Sequence, residues 1–449
     1  MSRLSLALVF TVILAACGDT ASPAPAVPPP GTPAGPAAQA EYPGGVGRTL
    51  GVSATGLDLD ASAESVGVRK ELIAAGFRIV RFDVLWQDVE TVKGVYDWAA
   101  VDARIDGLLA AGFEPLVLLA YGNPLYYDEF CPQADGYVFA CTGADAGPFA
   151  AFAGAAAARY GGRVKHFEIW NEPNGWFRFW PQANGGDPRA YARLLARATA
   201  AVHEACADCT VVSGGMVYLE TPITNGQARF MRVMNLEVPG IFRAVDGVGV
   251  HEYSWYPPID PPEAANGLEV PYDAALSDVR ANCSCGDAPL WITEVGWTAV
   301  AGSTEADRAR YGVRAWLMSL PYGIESWLWW SARDLDVPGL INAAEGHFGL
   351  FAWGGAPHPV FASLARASER LGAAVTAADV RAEYGLRAPA EWAVRFTFRD
   401  GRTADVVWYG GRGEGPAVAA LAGKQGVNLI TGATVAAATL GADPVFVTR

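Results

Sequence analysis

Two glutamates carry the chemistry this sequence offers. Glu172 stands in Glu168-Ile-Trp-Asn-Glu-Pro-Asn174, and Glu294 stands in Trp291-Ile-Thr-Glu-Val-Gly-Trp297. Each string reads as a short apolar strand that ends in a carboxylate among aromatics. The two lie 294 − 172 = 122 residues apart, so only a fold that gathers separate strand ends can bring them together. Paired carboxylates of this kind suit cleavage of a glycosidic bond. One holds a proton for the leaving oxygen; the other stays charged and attacks, or activates water.

The elements that must position them follow a repeating pattern. Strand-like segments at 48–53, 79–84, 115–120, 164–171, 210–214, 245–251, 290–294 and 326–330 alternate with helix-like segments at 61–75, 98–111, 148–160, 188–205, 227–236, 272–281, 305–320 and 359–371. Helices that stop at Gly76 and Gly112, and one that starts at Pro188, support these boundaries. The strands are apolar without clean alternation, as strands buried on both faces are. Eight β–α units over about 320 residues predict a closed (β/α)8 TIM barrel, an α/β fold, rather than an open doubly wound sheet. No Gly-rich phosphate loop follows the first strand, which disfavours nucleotide binding. Glu172 then follows the fourth strand and Glu294 ends the seventh, both on the C-terminal face where such barrels work. The barrel is expected over 46–372. The tail, 373–449, has alternating strands around Arg399-Asp-Gly-Arg402 and further short strands at 418–421, 427–430 and 444–447. It predicts a small all-β, sandwich-like domain.

Composition bounds the partners. The 449 residues are 51% hydrophobic and 18% charged, with a formal net charge of −14, which is globular and argues against nucleic-acid binding. Arg3, the apolar run 4–14 and Ala15-Ala16-Cys17 read as a lipoprotein signal peptide over 1–16, with Cys17 as the lipidated residue. A Pro- and Ala-rich tether over 17–45 would hold the folded part beside a membrane, in the periplasm or at the cell surface. The lipid anchor is the only membrane contact expected. Setting Cys17 aside leaves 7 − 1 = 6 cysteines, an even number that suits disulfides in an exported chain. Neighbours pair most simply, 131–141, 206–209 and 283–285, among about 15 connectivities.

At Trp170-Asn171-Glu172-Pro173 the chain resembles the clan A retaining glycoside hydrolases, and within them glycoside hydrolase family 39 and its relatives. The supporting strings are Arg81-Phe-Asp-Val-Leu-Trp86, Gly94-Val-Tyr-Asp-Trp98, Tyr121-Gly-Asn-Pro124, His251-Glu-Tyr253 and Phe348-Gly-Leu350. The resemblance spans roughly 48–371. It implies Glu172 as acid/base and Glu294 as nucleophile. It also implies Asn171 on the sugar 2-hydroxyl, Arg81 and Tyr253 holding Glu294, and His251 in support. Trp330, with Trp329 as its alternate, would lie under the sugar. Tyr121, Asn123 and Trp176 should line the cleft, with Phe177, Phe179, Trp180, Trp255 and Tyr256 crowding its loops and the 257–271 loop as a wall.

Two further glutamates read as decoys. Glu168 lies deeper on the face of Glu172 with an internal partner, and Glu252 points away from the pocket. His166 and His203 are structural. No cofactor or metal is expected, since there is no HExxH string or histidine cluster. Three activities stay open on these residues: a hydrolase of envelope oligo- or polysaccharide, a transglycosylase, and an inactive carbohydrate-binding barrel.

Overall fold

The computed structural model describes residues 39–57, 59–126, 133–134, 137–138, 146–175, 187–217, 226–253, 261–263, 272–286, 288–300, 303–335, 345–411 and 413–449. Eight parallel strands form the central sheet: β1 Leu50–Ser53, β2 Ile79–Leu85, β3 Glu114–Ala120, β4 His166–Ile169, β5 Thr210–Ser213 with a continuation at Met216–Val217, β6 Val248–His251, β7 Leu290–Val295 and β8 Ile324–Trp329. The order runs β5-β4-β3-β2-β1-β8-β7-β6. The ring closes because the β5 continuation pairs with β6, Met216 against Val250 and Val217 against His251. The Ser213 amide also donates to the Gly247 carbonyl at 3.0 Å. This is the expected (β/α)8 barrel.

Eight helices follow the strands: α1 Ala63–Ala74, α2 Ala99–Ala110, α3 Ala146–Tyr160, α4 Pro188–Ala205, α5 Gln227–Glu237, α6 Tyr272–Cys283, α7 Glu305–Ser319 and α8 Pro359–Leu371. Their starts are chemically marked. Asp187 accepts from the Arg189 and Ala190 amides with Pro188 just inside the first turn, and Thr304 and Asp307 make a capping box. These satisfy amides that a helix start leaves without partners. The apolar strand runs have the reason anticipated for them. Leu116, Val117, Leu118 and Leu119 are all fully buried, each contributing about 1.5–3 kcal/mol, because helices cover one face and barrel side chains the other.

The C-terminal unit is an antiparallel sheet of β9 Ala374–Asp379, β10 Glu391–Phe398, β11 Thr403–Tyr409, β12 Gln425–Asn428, β13 Thr434–Ala436 and β14 Val445–Thr448. The β10–β11 hairpin turns at Asp400-Gly401, with Gly401 at φ 84°, a left-handed angle suited to glycine. Two details differ from the sequence reading. The 418–421 segment is not a strand; Ala419–Leu421 is a 3-10 turn closed by the Leu421 amide on the Val418 carbonyl. Ala40–Glu41, inside the span read as tether, pairs with β9 at the sheet's edge.

The sheet is fused to the barrel. Trp392 and Trp408 stack with centroids 5.5 Å apart, and Trp408 Nε1 donates to Glu263 of the barrel at 2.8 Å. Arg310 of α7 reaches Asp443 at 2.6 Å. Cys206–Cys209 and Cys283–Cys285 are disulfides, as neighbour pairing anticipated; 131–141, Cys17 and the signal segment lie outside the described residues. Among the described residues no helix is long and apolar enough to cross a membrane.

Candidate active site

Strand register brings the two glutamates' surroundings together. On the β6–β7 pair His251 sits opposite Glu294, after a register shift at Val250/His251. After β4 the backbone leaves the sheet through two left-handed residues, Trp170 at φ 71° and Glu172 at φ 45°. Such angles are costly for side chains larger than glycine and persist where the surroundings enforce them. Here the Glu172 amide donates to the Gly215 carbonyl at 3.1 Å, and the turn delivers the Glu172 side chain to His251. The β5 backbone passes so close that a Cβ on Gly215 would lie 2.0 Å from His251 Nε2. Only glycine fits there.

The result is one hydrogen-bonded cluster. A Glu172 oxygen, a His251 ring nitrogen and a Glu294 oxygen lie within 4.8 Å of one another. His251 Nδ1 is 2.9 Å from Glu172 Oε1 and 3.7 Å from Glu294 Oε2. Arg81 Nη1 donates to Glu294 Oε1 at 2.6 Å, and the Tyr253 hydroxyl donates to Oε2 at 3.1 Å. Both glutamates keep some solvent contact, with side chains 12% and 13% exposed, enough for a ligand to reach them. Asn171 Oδ1 accepts from Arg81 Nη2 at 2.7 Å, which fixes its amide plane and commits the oxygen, not the nitrogen, to the protein.

Electrostatics divide the cluster. Burial pushes the Glu294 carboxyl up, but His251, Arg81 and the Tyr253 hydroxyl together hold it below the usual carboxylate range. Burial works against the Arg81 charge, and Glu168 and Glu294 more than restore it. Burial, then the charges of Glu294 and Glu172, push the Tyr253 phenol well above its ordinary value, so it stays a donor.

Glu168 has the internal partner anticipated for it, and that partner is Arg81. Arg81 Nε lies 2.5 Å from Glu168 Oε2, both side chains being at most 3% exposed. Arg81 is therefore shared between Glu168, Glu294 and Asn171. Glu252 turns outward to Gln227 Nε2 at 3.1 Å. His166 packs on Trp291 under the barrel, and His203 bonds Asp246 on the surface.

The aromatic at the end of β8 is resolved by burial. Trp329 is fully buried with its Nε1 on the Phe348 carbonyl at 2.6 Å, whereas Trp330 is half-buried, edge-on to Phe348 at 4.9 Å. Phe348 also meets Tyr253 at 6.2 Å, which sets Trp330 beside the Glu294 cluster.

Asn123 departs from the expected cleft lining, whereas Tyr121 sits among the charges of Asp83, Arg81, Glu172 and Glu294. Asn123 is fully buried; its Nδ2 donates to the Glu90 carbonyl at 2.8 Å and its Oδ1 accepts from the Leu125 amide at 2.9 Å. The 3-10 turn at Pro124–Tyr126 pulls the chain inward, so Asn123 ties loop backbones together. Tyr121 is 4% exposed and packs edge-on to Trp170 at 5.4 Å. Trp176, Phe177, Phe179, Trp180, Trp255 and Tyr256, and the 257–271 loop apart from 261–263, lie outside the described residues.

Two residues of the site escaped sequence reasoning. Asp83, two positions beyond Arg81 on β2, keeps solvent contact from a position ringed by protein. Enclosure by surrounding protein pushes its carboxyl up, against Arg81 and with Glu294 and Glu168. Strand parity with Arg81 was the signal for it. Thr293, fully buried beside Glu294, touches both His251 and Glu168; its type and position alone give no signal of this.

A cation could in principle meet Glu172, His251 and Glu294. Both Glu294 oxygens already accept from Arg81 and Tyr253, and the adjacent guanidinium repels a cation. The other grouping, Cys206, Asp208 and Cys209, has its two sulfurs joined in a disulfide.

No protein-family model matches the chain, and no curated protein is similar to it in sequence. Solved structures are similar in fold. A family 39 glycoside hydrolase from the gut symbiont Bacteroides cellulosilyticus WH2 superposes with TM-score 0.67 at 21% identity, over 90% of this chain and 81% of that one. A monomeric β-xylosidase from Caulobacter crescentus CB15 gives TM-score 0.57 at 21% identity, over 82% and 75% of the two chains. A GH39 enzyme from Xanthomonas axonopodis pv. citri gives 0.56 at 21%, over 84% and 76%. The chain thus carries the barrel-plus-β-domain fold of the family 39 glycoside hydrolases.

Proposed function

We propose that the protein is a retaining O-glycoside hydrolase working by double displacement. The observation that carries this reading is the approach of Glu172 and Glu294 within 4.8 Å through His251. That approach suits the spacing of about 5–5.5 Å at which one carboxylate attacks directly, rather than the wider spacing of inversion. Glu294, held charged by Arg81 and Tyr253, bonds to the anomeric carbon as the bond to the leaving oxygen breaks. Glu172 gives its proton to that oxygen. Water then bonds to the anomeric carbon, Glu172 takes the water's proton, and the bond to Glu294 breaks. Asn171, its oxygen held by Arg81, turns its Nδ2 donor toward the 2-hydroxyl, a bond that strengthens as charge develops at the neighbouring carbon. Trp330 supplies an aromatic surface for the sugar.

Two of the similar folds are β-xylosidases by name, so aryl β-xylosides head the substrate panel, with aryl mannosides, glucosides and galactosides after them. The first-formed sugar, followed by proton NMR before mutarotation, should keep the anomeric configuration of its substrate. An inverted first product would sink the double displacement, and cleavage of no glycoside would sink the hydrolase reading.

We further propose that the enzyme is exported and anchored by a lipid on Cys17, so that its substrate is an envelope oligo- or polysaccharide. The apolar run before Ala15-Ala16-Cys17 and the Pro-rich stretch after it support this. Labelled fatty acid should enter the wild-type chain and not Cys17→Ala, and the Cys17→Ala chain should leave the membrane fraction. Equal labelling of the two would refute the anchor.

A further inference from the structure

We propose that Thr293, held by Glu168, is a positioning residue that pins His251 in the tautomer with its proton on Nε2, so that Nδ1 is the ring atom serving Glu172. The consequence for catalysis rests on the double-displacement reading above; the tautomer itself does not.

The chain of donors leaves one assignment. Glu168 receives four donors: Arg81 Nε at 2.5 Å, Arg81 Nη2 at 3.3 Å, the Gly215 amide at 3.0 Å and the Thr293 hydroxyl at 2.9 Å. It is fully buried and acts only as an acceptor. A threonine hydroxyl has one proton, and here Glu168 takes it. Thr293 Oγ1 can then only accept from His251 Nε2, 3.0 Å away, so Nε2 must carry hydrogen. The other ring nitrogen, Nδ1, faces Glu172 Oε1 at 2.9 Å and Glu294 Oε2 at 3.7 Å.

A proton on Nδ1 donates to Glu172 and stabilises the carboxylate that remains once Glu172 has protonated a leaving oxygen. Thr293, its proton committed to Glu168, is a stronger acceptor toward Nε2 than an isolated hydroxyl. The charged and titratable groups around the ring are Glu172 after β4, Glu294 on β7, Glu168 on β4 beyond Thr293, Arg81 on β2 and Tyr253 after β6. The neighbouring Glu252 turns outward to Gln227. Gly215 closes the remaining side, leaving no room for another partner at Nε2.

Thr293→Val keeps the shape and removes the hydroxyl; Thr293→Ser restores the hydroxyl. In full-length protein labelled with 15N-histidine, one of five histidines to assign, the neutral His251 ring should show a protonated Nε2 in wild type and Thr293→Ser. Thr293→Val should show a mixture of tautomers. On an aryl glycoside with a poor leaving group, the alkaline limb of kcat/KM should move down by about one pH unit in Thr293→Val, the tenfold effect of one lost charge-assisted bond. Thr293→Ser should keep the wild-type limb, and KM should change little.

A wild-type ring with bare Nε2, or a Thr293→Val ring with the wild-type tautomer, overturns the proposal whatever the kinetics. Correct tautomers in a protein that cleaves no glycoside would uphold the assignment and count against the hydrolase reading instead.

Discussion

Glu294→Gln should lower turnover of every glycoside substrate by on the order of 10⁴-fold or more while the protein stays folded. The amide keeps the shape, and its oxygen can accept from Arg81 while its nitrogen donates to the Tyr253 hydroxyl oxygen, but it cannot form the glycosyl ester. Folding should survive because Arg81 retains Glu168 on Nε and Nη2 and Asn171 on Nη2. A fluorinated glycoside with a reactive leaving group should trap the wild-type intermediate. Mass spectrometry of the peptides should place the added sugar on Glu294, and a label on Glu168 or Glu172 would contradict the assignment. The acid side of the pH profile follows from the same geometry. Glu294 sits below the usual carboxylate range because His251, Arg81 and Tyr253 outweigh burial. Its attacking form therefore persists as pH falls through the ordinary carboxylate range, and activity should be lost on the acid side only below it.

The barrel was legible because its signals are local. Continuous apolar strands alternate with helices eight times, glycine stops and capped starts mark several of the boundaries, and the observed helices start and end within about two residues of the expected ones. Glu172 and Glu294 were legible for a related reason: each closes an apolar run, and strand ends in a barrel share one face. What stayed hidden depends on shear between strands. Arg81 pairs in register with Leu116, and Leu116 with His166, yet its guanidinium reaches Glu168, two residues further along β4. No sequence spacing reveals that offset, so the sharing of one guanidinium among Glu168, Glu294 and Asn171 could not be read. Asn123 misled because a polar residue after a strand end suggests an open cleft, whereas the turn behind it folds it inward. Thr293 was hidden by its ordinariness: a β-branched residue on a buried strand needs no further explanation until its hydroxyl is seen between an imidazole and a carboxylate.

Arg81→Met should be the most destabilising single change in the barrel interior, and its cost should depend on pH. The side chain is 3% exposed and supplies the only guanidinium to Glu168 and Glu294 among the described residues. Removing one partner of a buried pair typically costs about 3–5 kcal/mol, because the remaining charge is stranded. Set against a total stability of about 5–15 kcal/mol, that is a large share. Lysine should rescue little, since one ammonium cannot span Glu168, Glu294 and Asn171 as the fork does. The sign with pH follows from linkage. In wild type the Glu294 carboxyl is held below its unfolded value. Its contribution is full above that unfolded value and is lost as pH falls through the lower folded one. Without Arg81, burial of Glu294 is opposed only by His251 and Tyr253, so its carboxyl rises relative to wild type. The penalty then stands at alkaline pH and shrinks as a proton neutralises it. Denaturant unfolding of wild type and Arg81→Met at pH 8 and pH 5, values chosen to bracket that change (~3 units), should show the stability gap narrowing toward acid. A gap of equal size at both would mean that Arg81 stabilises the barrel by filling space, and that the charge of Glu294 is held by His251 and Tyr253 alone.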